Sequence, residues 1–150
     1  TDLQGTLGSV QMDRAREIVA ERKAIAKKYD LAFADLEWLQ TPPSTQAYCH
    51  GYQSYPCMFS PEEIEVSSVE AVNSKRNAWM DELQKKGVST RPATHAVHML
   101  SYYKEKYKLR ETDFPNAYAA DQCSISIPLF HGMKSEEQDF VIDKILEFKS

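Results

Sequence analysis

Glycine is scarce in this chain: there are five in 150 residues, and none falls in a GxGxxG or GxxxxGK[ST] arrangement. Backbone that wraps a nucleotide phosphate needs such a cluster, so that class of loop is excluded. Cysteine is scarcer still. Cys49, Cys57 and Cys123 form an odd set without CxxC spacing, which argues against a disulfide framework and predicts reduced thiols. No apolar run approaches the roughly 18–20 residues that span a bilayer, and no basic segment followed by an apolar one opens the chain. The expectation is a soluble, cytoplasmic protein with no membrane partner. Positive charge is in deficit too, with 18 Lys and Arg against 22 Asp and Glu. Without a basic stripe to neutralise phosphates, nucleic acid is not an expected partner.

Familiar catalytic signatures are missing as well. There is no HExxH, and the Cys49 to Cys57 interval lies outside the usual ligand loop, so His95, His98, His131, Cys49, His50 and Cys57 are not expected to assemble a metal site. No serine sits in a GxSxG elbow. Cys49 and His50 are neighbours in an expected strand, where they would point to opposite faces and form no dyad. An initiator methionine is also absent: Thr1-Asp2-Leu3-Gln4 runs straight towards a helix, and the expectation is a boundary cut within a longer chain.

What is present is enough for one ordinary domain. With 42% hydrophobic and 27% charged residues, a chain of this length can bury roughly 68–70% of its unfolded surface. Apolar residues at three- and four-residue spacings (Ala15, Ile18, Val19, Ala26, Tyr29) predict a long amphipathic helix from about Val10 to Tyr29. An apolar cluster around Trp38 follows, and Thr41-Pro42-Pro43-Ser44 stops regular structure. Tyr48 to Phe59 alternates loosely and predicts a strand, with Pro56 at an edge or a bulge. Ser60-Pro61-Glu62-Glu63 reads as a capping box for a short helix.

A second firm helix is expected from about Ser74 to Lys86, closed by Gly87 in the left-handed region. Val88 to Pro92 reads as a brief strand, Thr94 as the cap of a helix through Val97, Leu100 and Tyr103, and Asp113-Phe114-Pro115 as the start of another through Ala117 and Ala120. Ser124 to Leu129 alternates as a strand. Ser135-Glu136-Glu137-Gln138 reads as a capping box before the apolar face of Val141, Ile142, Ile145 and Leu146. Strands near 50–58, 88–91 and 124–129 between helices predict a small sheet covered by helices.

One segment carries candidate chemistry. Thr90-Arg91-Pro92-Ala93-Thr94-His95-Ala96-Val97-His98 gathers a guanidinium, two imidazoles and hydroxyls at an expected strand-to-helix junction. Free amides at a helix start favour an anionic or hydroxyl-rich ligand. From the residues alone, an exposed, polar helix start is the reading such positions favour. Tyr102, Tyr103, Tyr107 and Tyr118 are expected in packing and interfaces rather than ligand stacking.

Taken together, the segments resemble the C-terminal part of the pyridoxal-phosphate-dependent sugar-nucleotide aminotransferases of the DegT/DnrJ/StrS family. Thr1-Asp2-Leu3-Gln4 with Leu7-Gly8 is similar to the family's TDLQAALG start, and Arg22-Lys23, Ile25-Ala26 and Tyr29 to its RRxxIAxxY stretch. His50-Gly51-Tyr52 and Tyr55 resemble HxYxxY, and Gly87-Val88, Thr90-Arg91-Pro92, His98 and Tyr102-Tyr103 resemble GIxTRP…H…YY. Phe114-Pro115-Asn116-Ala117, Ser126-Ile127-Pro128-Leu129-Phe130 and Glu136-Glu137-Gln138 with Val141-Ile142 resemble FPNA, SLPLF and EEQxxVI.

The resemblance implies an α+β fold: residues 1–150 as a single C-terminal small domain of a fold-type-I transferase, with a mostly antiparallel sheet. It implies a homodimeric parent in nucleotide-sugar or polysaccharide biosynthesis that moves an amino group from an amino acid, usually glutamate, onto a keto-sugar nucleotide. Pyridoxal 5'-phosphate, its lysine, the acid opposite the pyridine nitrogen and the phosphate cup would all lie in an upstream large domain. This stretch alone is then expected to hold no cofactor and to be inactive. His98 matches the family's histidine position and is the leading substrate-binding candidate, with Arg91, Thr90 and His95 beside it. Ala93-Thr94-His95-Ala96 departs from the family's aromatic and proline residues there, and Gly5-Thr6 replaces an alanine pair and weakens the first helical turn. The alternatives are a binding or oligomerisation module without catalysis, or a dehydratase parent of the same fold.

Overall fold

A computed structural model describes residues 1–43, 47 and 49–148. The described residues form five α-helices and a three-stranded antiparallel sheet, an α+β arrangement. Ser44, at the end of the expected loop, and Tyr48, at the start of the expected strand, lie outside them.

Helix α1 runs Asp2–Ala32, eight residues earlier than the apolar spacing predicts, because polar capping rather than burial starts it. Thr1 Oγ1 accepts the Gln4 N–H at 3.4 Å, while the Thr1 amino group donates to Gln4 Oε1 at 3.0 Å. The helix passes through Gly5-Thr6 unbroken. Residues 1–14 are all exposed, and the helix enters the core only near its end, at Ile25, Ala26 and Tyr29.

Strands β1 (Leu39–Gln40), β2 (Tyr55–Phe59) and β3 (Ser124–Ile127) lie in the order β1-β2-β3. Tyr55 pairs with Ile127 and Cys57 with Ile125, so Tyr55, Cys57 and Phe59 face inward and are buried. The expected strand is therefore shorter than 48–59, and it is central rather than at an edge. Pro56 is tolerated there because β1 reaches only Met58 and Phe59, leaving Pro56 with a ladder neighbour on one side alone. No strand spans Val88–Pro92; Arg91 makes an isolated antiparallel bridge to Ser126, with N···O distances of 3.2 and 2.7 Å.

Ser60 does not cap a helix. It sits at φ 45°, its side chain makes no capping bond, and its N–H donates to the Trp38 carbonyl at 2.6 Å, so only a 3₁₀ turn, Pro61–Glu63, follows. Helix α2 spans Val69–Lys85, its buried face running through Val69, Val72, Arg76, Trp79 and Leu83. Its end is the expected one: Gly87 has φ 87° and the Val88 N–H reaches back to the Leu83 carbonyl at 2.8 Å. Thr94 caps nothing. A 3₁₀ turn, Val97–Met99, breaks at extended Leu100 before α3 (Ser101–Tyr107), and Val97, Leu100 and Tyr103 are exposed rather than packed inward.

Helix α4 (Pro115–Cys123) opens with its proline in the first turn as expected. Helix α5 (Ser135–Leu146) begins one residue before the predicted frame: the Lys134 N–H donates to Glu137 Oε2 at 2.8 Å. That shift frees Gln138 for burial, and its Nε2 donates to the Ile25 carbonyl at 2.8 Å. Around the sheet, Trp38, Phe59, Trp79 and Phe148 interlock; Trp38 meets Trp79 edge-on at 5.1 Å and Phe148 at 4.7 Å. Among the described residues no helix is long and apolar enough to cross a membrane.

The thiols separate cleanly by environment. Burial, and then the nearby Asp30 charge, push Cys57 up to about 12, burial also raises Cys123, and Cys49 alone is exposed. Because the thiolate is the reacting species, a disulfide reagent at pH 8 should modify one thiol per folded chain and three after unfolding. Counting released chromophore before and after adding guanidinium checks this.

Candidate functional site

Where β3 ends, three segments enclose an open cleft of about 600 Å³: residues 53–54, 89–93 and 126–130. The Arg91–Ser126 bridge ties two of these walls together. Thr90 is half-buried in the cleft, and Arg91 is exposed at it with no partner for its guanidinium among the described residues. Around them stand Gln53, Ser54, Ser89 and Phe130, so a free positive charge sits among amide and hydroxyl groups beside one aromatic ring. Such a lining suits an anionic, hydroxyl-rich ligand.

His95 and His98 do not join the cleft lining. His95 is exposed, with Nδ1 3.6 Å from Asp121 Oδ1. His98, in the 3₁₀ turn, is buried at 7% exposure; its ring lies 5.1 Å from that of Phe114 and its Nε2 has no hydrogen-bond partner. The four candidates thus form two groups, and residues 92–96 are irregular chain rather than a helix start. Close to His98, the Arg110 N–H, 2.7 Å from Oδ2, holds the Asp113 carboxyl below the usual carboxylate range.

Sequence reasoning missed Gln53, Ser54 and the Pro128–Phe130 wall. Gln53 and Ser54 carry no periodic signal, and the sharp bend before them, at Tyr52 with φ 46°, is invisible in residue types. Neighbouring Cys49 and His50 form no dyad: Cys49 Sγ receives a bond from Lys23 Nζ at 2.9 Å and His50 Nδ1 accepts the Tyr52 N–H at 2.8 Å. They lie in irregular chain, not a strand. No group of three or more His, Cys, Asp or Glu among the described residues could hold a metal. The described lysines do not fit pyridoxal phosphate either, since none is buried and none lines the cleft.

Residues 1–146 match the profile of the DegT/DnrJ/EryC1/StrS aminotransferase family. The chain belongs to that family. It is 25% identical over 150 residues to an uncharacterised protein of Methanocaldococcus jannaschii, covering 100% of this chain and 37% of that protein. To the spore coat polysaccharide biosynthesis protein SpsC of Bacillus subtilis it is 26% identical over 144 residues, 96% of this chain and 35% of SpsC. Streptococcus pneumoniae Spr1654, assigned as a sugar aminotransferase, matches in its apo form with TM-score 0.81 and 26% identity, over 96% of this chain and 34% of that one. Its PLP and PMP forms match with the same TM-score of 0.81. The chain therefore spans about a third of the length of these relatives.

The unpartnered Nε2 of His98 makes the imidazole a poor contributor to the stability of this chain, because a buried polar atom without a partner costs about 1–3 kcal/mol. Replacing His98 with leucine should change unfolding free energy by less than about 1 kcal/mol or raise it. Urea titration followed by tryptophan fluorescence measures the difference.

Proposed function

We propose that this chain is the C-terminal small domain of a pyridoxal-phosphate-dependent sugar aminotransferase, which passes an amino group from an amino acid, usually glutamate, to a keto-sugar nucleotide. The observation that carries the reading is the family match over residues 1–146 in a chain spanning only a third of its relatives, with a polar cleft left open. The cofactor, when bound, carries the amino group between the two substrates. Its lysine and phosphate cup are read as lying outside the described residues, whose lysines are neither buried nor at the cleft; a relative solved with PLP and with PMP supports a cofactor in the whole enzyme. The work of this stretch is to bind and orient the sugar substrate beneath a cover.

In that role Arg91 offers a bidentate cation to an anionic group and Thr90 a hydroxyl to the sugar. His98 Nε2 is an unmet hydrogen-bonding atom that a substrate or the adjoining domain can satisfy, and exposed His95 beside Asp121 is a further substrate contact. The whole protein is read as a cytoplasmic homodimer, and the name of SpsC supports a place in polysaccharide biosynthesis.

The full-length protein should show the visible band of bound pyridoxal phosphate, lose it on adding glutamate, and regain it with a keto-sugar nucleotide. A colourless protein that takes up no cofactor overturns the reading. Arg91→Ala and His98→Ala should each raise the sugar-nucleotide KM by roughly tenfold with the cofactor spectrum unchanged. Unchanged kinetics would remove either residue from the site.

A further inference from the structure

Two walls of the cleft have one anchor. The Gln53 wall is gripped by Arg22, whose Nη1 donates to the carbonyls of Tyr52 at 3.1 Å and Gln53 at 3.2 Å. The opposite wall, running from Pro128 to Phe130, turns at His131-Gly132, and Glu21 grips that turn. Glu21 Oε1 accepts the Gly132 N–H at 2.8 Å, and Oε2 lies against His131 Nδ1. On the far side of the ring, Arg14 Nη2 donates to His131 Nε2 at 3.2 Å. An arginine only donates, so Nε2 is the acceptor. Gly132 has φ 84°, a conformation that a glycine adopts freely.

Glu21 and Arg22 are adjacent in α1, yet they reach to opposite sides of one cleft. Arg22 also keeps its Nε buried without a partner. A surface arginine serving solubility would leave that atom in water. We propose that Glu21 and Arg22 are positioning residues that set the separation of the cleft walls, Arg22 through the 52–53 carbonyls and Glu21 through the 131–132 turn. The proposal rests on the sugar-site reading above. Neither residue lines the cleft: Arg22 acts through Gln53, which does, and Glu21 through the 131–132 turn that follows the lining residue Phe130.

The test uses the full-length protein and two readouts. Glu21→Ala should raise the keto-sugar-nucleotide KM roughly five- to twentyfold while kcat and the glutamate half-reaction change by less than about twofold. Glu21→Gln keeps the acceptor for the Gly132 N–H and should stay within about threefold of the parent KM. Hydrogen exchange should quicken across residues 128–133 in Glu21→Ala and not across 55–59. Arg22→Ala should act likewise through residues 52–54. Slow exchange in the alanine variants, or fast exchange with an unchanged sugar KM, overturns the proposal. A parent protein that binds cofactor and accepts glutamate but transfers to no keto-sugar nucleotide defeats the sugar-site reading instead.

Discussion

The Tyr29 hydroxyl donates to the Pro128 carbonyl at 2.8 Å, and the geometry of the cleft hangs on this bond. The ring of Tyr29 is fully buried, 5.5 Å from Phe33 and 5.2 Å from Tyr55, and Tyr55 in turn donates to Asp30 Oδ1 at 2.5 Å. Desolvation pushes both phenols up, which favours the neutral form that donates these bonds. Helix α1 is thereby fixed to the central strand and to the chain leaving β3 at once. Two of the three cleft walls are referenced to that joint: the Arg91 segment through its bridge to Ser126, and the 128–130 wall through Pro128 itself.

A second joint organises the other side of the sheet. Arg76 is 3% exposed, and its Nη1 donates to the Ser124 carbonyl at 2.9 Å, while Asn73 Nδ2 donates to the Gln122 carbonyl at 2.7 Å. Both side chains come from α2 and meet carbonyls at the end of α4, groups that a helix C-terminus leaves unsatisfied. Burial lowers the arginine's proton affinity, with Cys123 and the Asp121 carboxylate acting in the opposite direction. The α4–β3 junction is thus fixed by polar contacts where an apolar core would leave the carbonyls unpaired.

The sequence announced what depends on spacing along one element. The buried stripe of α2, the left-handed Gly87, Pro115 at the start of α4 and the pairing face of β3 all follow from local rules, and all are present. It misled where a distant partner outbid a local one. Ser60 looks like a cap, but its N–H is taken by Trp38; Gln138 looks like half of a capping box, but Ile25 claims its amide. The candidate site was half legible for the same reason. Thr90 and Arg91 sit together because they are neighbours in sequence, whereas Gln53 and Phe130 arrive through long-range pairing of β2 with β3 that no spacing reveals.

The exposed first half of α1 has a mechanical side. The thirteen exposed helical residues from Asp2 to Arg14 extend about 20 Å at 1.5 Å per residue. A hydrogen-bonded rod of that length is stiff, so a tilt of about 10° at its root swings the tip by roughly 3–4 Å. The root is the very stretch that carries Glu21, Arg22 and Tyr29. Whatever grasps the tip of this lever therefore bears, with long mechanical advantage, on the stretch that anchors the cleft walls.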